Sequence, residues 1–264
     1  METVYTPIGT CFGVAVRYAP PLTGAQAYIV TAKHVLLVTN DTYLSEVYLR
    51  VNSLNGFGYL RVNLNPTNGF KIYTHPDKEV DIAVIAGNPE PDEGWQTKCL
   101  DSKFIATKDT ITNYSIREGD DMFFTGLFTP YYGSTHNVPI CRFGKLSMLT
   151  DEKIPVAPGD SENLYIMEAQ AFGGNSGSPT FFWFDGNRVP LPDNKLYLAG
   201  ILKGYFKDWS EADIVTAKSG YYLHGNSGVA LVTTAYYLVE ILNCDELKSK
   251  RAETEKALLT KLQK

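Results

Sequence analysis

The sequence predicts a mainly β fold, assembled as a sandwich or a barrel. From residue 9 to about residue 235 the chain consists of short β-rich runs separated by turn signals such as Asn-Gly, Asp-Gly and Pro. Strands do not alternate with helical stretches of about 10 to 15 residues, and no repeat of fixed period occurs. These observations exclude a Rossmann fold and a solenoid. The 264 residues suffice for one large all-β domain or two small lobes.

The predicted strands follow one another at short intervals and lead into a helix. They cover residues 12–18, 27–30, 47–51, 59–64, 81–86, 122–125, 164–168, 180–184, 196–205 and 228–232. After the last strand, Thr233 or Thr234 can cap a helix in which Leu238, Ile241 and Leu242 share one face. One helix is therefore expected after the last strand.

The distribution of polar and charged residues suggests how the chain is divided. The polar stretch 108–121 predicts a seam between an N-terminal lobe, residues 1–115, and a C-terminal lobe, residues 116–234. Residues 235–264 form the helix and a charged tail, in which ten of the last twenty residues carry a charge. Such a run is typical of a solvated helix face or a frayed tail. The alternative is a helix that binds a regulatory partner.

Composition limits the kinds of partner. With 44% hydrophobic and 20% charged residues the chain is predicted to be a folded globule, and its net charge of −5 gives no support to nucleic-acid binding. The first residues resemble no secretory signal, and no run of ~18 apolar residues predicts a membrane span. The four cysteines lie far apart without a CxxC pair, as in reduced thiols. We therefore expect a cytoplasmic protein without a membrane partner.

Three segments each place a reactive side chain where a strand meets a turn. His34 ends the segment TAKH after an apolar run, Asp81 opens the strand DIAVI, and Ser176 lies in the small-residue turn GGNSGSP. A serine hydroxyl is a poor nucleophile until an imidazole removes its proton, and a carboxylate must orient that imidazole. The three residues therefore qualify as base, orienter and nucleophile.

The turn around Ser176 also contains candidate donors for a developing negative charge. Glycine before the serine lets backbone N–H groups turn inward without obstruction by a Cβ. The segment Gly174, Asn175 and Ser176 is the predicted oxyanion hole, with the amides of Gly174 and Ser176 as its donors.

These motifs resemble those of the chymotrypsin-type serine proteases with two β-barrels, specifically the HtrA-like branch. TAKHV resembles the histidine motif, DIAVI the aspartate strand and GGNSGSP the nucleophile loop, in the chain order His, Asp, Ser. AGIL at residues 199–202 and GVALV at 228–232 extend the resemblance over residues 9 to about 242. The resemblance implies two six-stranded antiparallel β-barrels with a C-terminal helix. It also implies a serine endopeptidase that needs no cofactor and acts on protein or peptide substrates.

The resemblance also indicates where a substrate would lie. It implies a pocket formed by six residues on both sides of the cleft, namely Gln170, Ala171, Phe172, Lys203, Gly204 and Tyr205. Gln170 stands where trypsins carry an acidic residue, so a strict preference for Lys or Arg is not expected. A peptide backbone would add as a strand along residues 203–205.

Several departures from the family pattern narrow the expectation. Val35 replaces the cysteine of secreted members, which fits an intracellular chain, and neutral Asn175 replaces the aspartate that pairs with a newly cut N-terminus. Activation by N-terminal cleavage therefore lacks its electrostatic basis. The stretches 183–194 and 207–222 exceed ordinary hairpin lengths and are expected to form surface loops.

Rival residues and functions remain open at this level. Asp77 competes with Asp81, and the tetrapeptide GNSG at 225–228, preceded by His224, repeats the nucleophile motif, although a hairpin turn would explain it. His75 and His136 have no ligand pair nearby, so no metal site is expected. The alternatives to a general endopeptidase are a catalytically silent or partner-activated peptide-binding module and a single-substrate processing protease.

Overall fold

The computed structural model describes residues 5–39, 42–87, 94–157, 160–184, 195–208 and 225–262. The predicted mainly β fold is confirmed, and two helices form the C-terminal end of the described chain. None of the helices in these ranges is long and apolar enough to span a lipid bilayer.

The N-terminal half is built around an open five-stranded sheet. Its strands are β1 (Phe12–Arg17), β2 (Ala25–Thr31), β3 (Leu37–Thr39), β4 (Thr42–Tyr43), β5 (Glu46–Ser53), β6 (Gly56–Asn63), β7 (Lys71–Thr74), β8 (Ala83–Ala86) and β9 (Cys99–Asp101). The sheet order is β7-β8-β2-β1-β9, antiparallel except for the parallel pair β1 and β9. β3 pairs with β4, and β5 pairs with β6, in separate two-stranded sheets.

Alternation along the strands gives this sheet two apolar faces. Val84 of β8 packs in one core cluster, while its neighbours Ala83 and Ile85 pack in another. The second cluster contains Val62 of β6 and Leu64 just after it, so the β5–β6 pair covers that face of the sheet. The expected N-terminal six-stranded barrel is therefore not what the described residues form. β5 and β6 contact the sheet through side chains, whereas closure would need them in its hydrogen-bond ladder.

The C-terminal half contains the closed barrel that the sequence predicts. Its strands are β10 (Asp121–Gly126), β11 (Ile140–Met148), β12 (Ile154–Ala157), β13 (Asp160–Glu162), β14 (Leu164–Glu168), β15 (Pro179–Trp183), β16 (Leu196–Asp208) and β17 (Gly225–Thr234). Six antiparallel strands close in the order β10-β11-β14-β17-β16-β15, and β12 pairs with β13 outside the barrel. Large apolar side chains fill the interior, among them Met122, Phe124, Leu146, Met167 and Phe182.

Short helices connect these parts. The stretch predicted as a seam contains the helix α1 (Lys108–Asn113), which begins at a capping box formed by Thr107 and Thr110. Two one-turn 3₁₀ helices, Lys33–Leu36 and Ser102–Phe104, follow β2 and β9. The division into lobes stays a prediction.

The C-terminal region forms two helices where the sequence predicts one. They are α2 (Ala235–Leu242) and α3 (Asp245–Leu262), with Thr234 at the start of α2 but making no side-chain cap hydrogen bond. Leu238, Ile241 and Leu242 are buried as predicted, against the N-terminal sheet. One core therefore joins the last helices to the first strands.

The charged tail is a docked helix and not a frayed end. In α3, Leu247 is buried and Arg251 donates to the Tyr28 hydroxyl at 2.9 Å. Glu246 accepts hydrogen bonds from Lys71 and from the Tyr73 hydroxyl, and these lower the pKa of Glu246 to about 2. The polar side chains of α3 thus fasten it to β2 and β7.

Candidate active site

His34 and Asp81 meet where β2 ends and β8 begins. Because β2 and β8 are antiparallel neighbours, with Thr31 opposite Ala83, the turn after β2 lies beside the residues that precede β8. The carboxylate of Asp81 accepts from the His34 backbone N–H at 2.9 Å and lies 2.6 Å from His34 Nδ1. The Lys33 amide donates to the Asp81 carbonyl at 3.3 Å and ties the two segments together again.

The side chains of His34 and Asp81 differ strongly in exposure. The Asp81 side chain is 5% exposed, whereas the His34 side chain is 45% exposed. A carboxylate only accepts hydrogen bonds, so Nδ1 of His34 carries the proton that it shares with Asp81. In neutral His34 this leaves the lone pair on Nε2, which can accept a proton.

The loop that carries Ser176 is a tight turn fixed to β16. The Asn175 amide donates to the Phe172 carbonyl at 3.0 Å, and the Gly177 amide donates to the Leu202 carbonyl at 2.8 Å. Gly177 has a φ of +86°, and a Cβ there would lie 2.0 Å from the Thr10 carbonyl oxygen. Only glycine fits at this position, which explains the residue after the serine.

The Ser176 hydroxyl points to β16 in this structure. Its Oγ donates to the Lys203 carbonyl at 2.9 Å, and no hydrogen bond joins it to His34, both residues lying in the described part of the chain. The loop nevertheless packs against the end of β2, since a Cβ at Gly177 would lie 3.1 Å from the amide nitrogen of Ala32. The fold therefore brings the serine loop to the histidine turn without forming the hydrogen bond between the two side chains.

Thr10 connects the segments that surround this site. Its amide donates to the Ser176 carbonyl at 2.8 Å, and its hydroxyl donates to the Gly174 carbonyl at 2.9 Å. The same hydroxyl accepts from the Leu127 amide at 2.9 Å, and its carbonyl accepts from the Thr31 hydroxyl at 2.7 Å. Sequence reasoning missed Thr10 because its partners are mostly backbone atoms of distant segments. The only local signal is its place just before the first strand.

Two amides of the predicted oxyanion hole have no acceptor among the described residues. The Gly173 carbonyl faces the Thr129 hydroxyl at 3.4 Å, so the N–H of Gly174 points the opposite way across the trans peptide. The N–H of Ser176 likewise lacks a partner in the described part of the chain.

The structure corrects the inclusion of Asn175 in the oxyanion hole. Its amide is occupied by Phe172, and its 1% exposed side chain bridges the loop to a neighbouring segment. Oδ1 accepts from the Phe172 amide at 2.7 Å, and Nδ2 donates to the Leu127 carbonyl at 2.6 Å. Neutral Asn175 thus holds the loop by hydrogen bonds, where an aspartate would need a cation.

The predicted pocket residues have different environments. On β16, the Lys203 ammonium pairs with the buried carboxylate of Glu162, and Tyr205 packs against the barrel core. A Cβ at Gly204 would meet no atom of the described residues within 4 Å. Before the serine, Gln170 is exposed and Ala171 is buried. Phe172 is 41% exposed, and the guanidinium carbon of Arg142 lies 4.6 Å from its ring centroid.

The rival residues lie elsewhere. Asp77 accepts from the Glu79 amide at 3.0 Å, which lowers the pKa of Asp77, and it does not contact His34. The second GNSG copy belongs to β17, so the expected hairpin turn is wrong there, and its Ser227 donates to the Phe206 carbonyl. His224 and nearly all of the stretches 183–194 and 207–222 lie outside the described residues.

The described residues contain no group of three or more His, Cys, Asp or Glu side chains that could hold a metal ion. His75 contacts the Glu240 carboxylate at 2.8 Å, and the His136 ring contacts the neighbouring Thr135 hydroxyl.

No protein-family model and no curated protein matches this chain. Solved structures with a similar fold include the MamO protease domain from Magnetospirillum magneticum, at a TM-score of 0.47 and 12% identity, over 90% of this chain and 97% of that chain. The protease Anisep from Arthrobacter nicotinovorans has a TM-score of 0.48 and 13% identity, over 90% of this chain and 96% of that chain. Rv3671c from M. tuberculosis H37Rv, in an inactive form, has a TM-score of 0.41 and 14% identity, over 89% of this chain and 84% of that chain. At such identities the likeness concerns the course of the backbone alone.

Proposed function

We propose that this protein is a serine endopeptidase that forms an acyl-enzyme on Ser176. His34 acts first as general base and then as general acid, Asp81 orients it, and the amides of Gly174 and Ser176 stabilise the oxyanion. The observation that carries the proposal is the 2.6 Å contact between buried Asp81 and half-exposed His34, which leaves Nε2 free beside the serine loop.

The reaction requires one change of side-chain conformation. The Ser176 hydroxyl must leave the Lys203 carbonyl, to which it donates in this structure, and donate to His34 Nε2 instead. Oγ then bonds to the substrate carbonyl carbon while Nε2 takes its proton. When the tetrahedral intermediate collapses, the C–N bond breaks and His34 returns the proton to the leaving amine. Water repeats the sequence on the ester.

The edge of β16 supports a peptide substrate. β15 pairs with β16 as far as Ile201, and the serine loop continues this pairing with hydrogen bonds to Leu202, so among the described strands residues 203–205 pair only with β17. An extended peptide can add to such an edge by backbone hydrogen bonds, next to Ser176 and along residues 203–205.

A second function is favoured by one specific observation. Because the Ser176 hydroxyl donates to Lys203, the structure also fits a peptide-binding module that is silent or awaits a partner. In that case the cleft would hold a peptide while the serine stayed turned away from His34. Apo geometry is compatible with both functions, since catalytic hydrogen bonds often form only with substrate bound.

Labelling with a fluorophosphonate distinguishes the two functions. The endopeptidase is expected to form a stoichiometric adduct, and mass spectrometry of its fragments should locate that adduct on Ser176. A protein that binds peptides but forms no adduct, alone or with added partners, would support the silent module. An adduct on another serine would refute the assignment of the nucleophile.

Thr10→Val should lower kcat by about 10- to 100-fold, with a smaller effect on KM. Valine keeps the shape of threonine but removes the hydroxyl that holds the Gly174 carbonyl and the Leu127 amide, so the oxyanion loop loses its orientation. Steady-state kinetics on a cleaved peptide measures both constants.

Two variants control this experiment. Thr10→Ser retains the hydroxyl and should keep most of the rate, while Thr67→Val changes an exposed turn and should have no effect. A normal kcat in Thr10→Val, or a loss equal in both Thr10 variants, would contradict the positioning role.

A further inference from the structure

Arg142 is a half-buried cation without a counter-charge among the described residues. Its side chain makes no hydrogen bond and no ion pair in that part of the chain, and its Nε is shielded from solvent without an acceptor. Arg50, also half-buried, donates instead to the Tyr132 and Gly133 carbonyls and to the Asn137 side chain. Removing an arginine from water is costly unless acceptors replace the water. Arg142 therefore has unused capacity for an anion.

The position of Arg142 brings its unpaired guanidinium donors close to the candidate site. In the ladder of β10 and β11 it stands opposite Phe124, which is 0% exposed, so both side chains project to the inner side of the barrel. Its guanidinium reaches the ring of Phe172, four residues before Ser176. Phe172 is fixed to the serine loop through both of its backbone hydrogen bonds with Asn175.

The contact with Phe172 leaves the guanidinium able to bind a carboxylate. A ring face attracts the cation without accepting conventional hydrogen bonds, and the N–H donors of arginine match the two oxygens of a carboxylate. Lys203, the other cation of the site, is already neutralised by Glu162. Gln170, Ala171 and Gly173 carry no charge that could compete.

Two glycines near the serine leave the backbone accessible to an approaching group. A Cβ added at Gly173 or at Gly204 would meet no atom of the described residues within 4 Å. Because the net charge of the chain is −5, attraction of an acidic group must come from a local cation and not from the overall field.

We propose that Arg142 determines the specificity of the site and that the preferred substrates carry Asp or Glu directly before the scissile bond. The proposal rests on the proposed peptidase function and adds the chemical class of its substrate. The carboxylate of the substrate pairs with the Arg142 guanidinium while the peptide lies along residues 203–205.

Fluorogenic peptides that differ only in the residue before the scissile bond test this proposal. Wild-type protein should cleave the Glu peptide with a kcat/KM roughly 10- to 100-fold above that of the Gln peptide, since hydrogen bonds to charged groups have that effect. In Arg142→Gln the ratio should fall to about one. Arg142→Lys keeps the charge but not the paired donors, and an intermediate ratio is expected.

Lys145→Gln is the matched control, because Lys145 lies on the same strand, is exposed and pairs with Asp121. It removes the same charge and should leave the ratio unchanged. A wild-type ratio near one, or a high ratio retained in Arg142→Gln, would overturn the proposal.

The failure of this proposal can be told apart from failure of the peptidase function. Cleavage or a Ser176 adduct without acidic preference would refute only the role of Arg142. If neither cleavage nor an adduct appears, the Glu and Gln peptides are compared by direct binding to Ser176→Ala protein. Tighter binding of the Glu peptide that disappears when Arg142→Gln is added would retain the role of Arg142, and equal binding would reject it.

Discussion

Ser176→Ala should reduce peptide cleavage by about 10⁶-fold and abolish the fluorophosphonate adduct. The change removes only the hydroxyl, whose hydrogen bond goes to a backbone carbonyl of β16, so the fold should be retained. Binding of an extended peptide should persist, since the β16 edge is unchanged. Cleavage rates, adduct mass and circular dichroism of the variant measure these three expectations.

Ser227→Ala provides the matched control for the nucleophile. Ser227 lies in the second copy of the tetrapeptide GNSG. Its hydroxyl also donates to a carbonyl of β16, that of Phe206. Its removal should leave both rate and labelling at wild-type levels. Activity that survives in Ser176→Ala and disappears in Ser227→Ala would reverse the assignment.

Asp81→Asn should lower kcat by about 10⁴-fold, the second largest effect expected. The asparagine oxygen can still accept the His34 backbone N–H, so the local structure should survive. Its NH₂ group would then face Nδ1, which must give up its proton to accept a hydrogen bond. The proton moves to Nε2 in the neutral ring, and His34 can no longer act as base toward Ser176. Kinetics, with NMR of the imidazole tautomer, measures this result.

Asp77→Asn tests whether another carboxylate near Asp81 in the sequence contributes to activity as Asp81 does. Asp77 interacts with the Glu79 amide and lies 3.6 Å from Lys153, so its loss should affect activity little. Comparable losses in the two variants would show that Asp81 acts through general charge and not through its contact with His34.

The parts of the site that sequence reasoning found depend on local pattern. His34 and Asp81 each lie at a strand end, and antiparallel pairing of β2 with β8 brings such ends together. The choice of Asp81 over Asp77 followed from its predicted place at the start of an apolar strand, and in the structure β8 begins two residues later, at Ala83. A barrel in the C-terminal half could likewise be predicted from alternating strands.

Other features depend on contacts between distant residues that no local pattern records. Thr10 touches Leu127 and Gly174 across more than a hundred residues, and its side chain alone would fit many surface positions. The orientation of the Ser176 hydroxyl depends on the Lys203 carbonyl of β16, which only the folded chain brings to it. The N-terminal sheet stays open because β5 and β6 pack across its face. The alternation of apolar and polar residues predicts strands in both cases, and does not tell whether a strand packs on a sheet or extends its hydrogen-bond ladder.

The burial of α2 against β1 and β2 has a consequence for how the polypeptide is made. Val14 and Tyr28 share their cluster with Leu238 and Ile241, so β1 and β2 find these partners only after α2 has left the ribosome. Until then one apolar face of the nascent sheet is exposed to water, and this face can promote aggregation. Expression of the first half alone would leave that surface permanently uncovered.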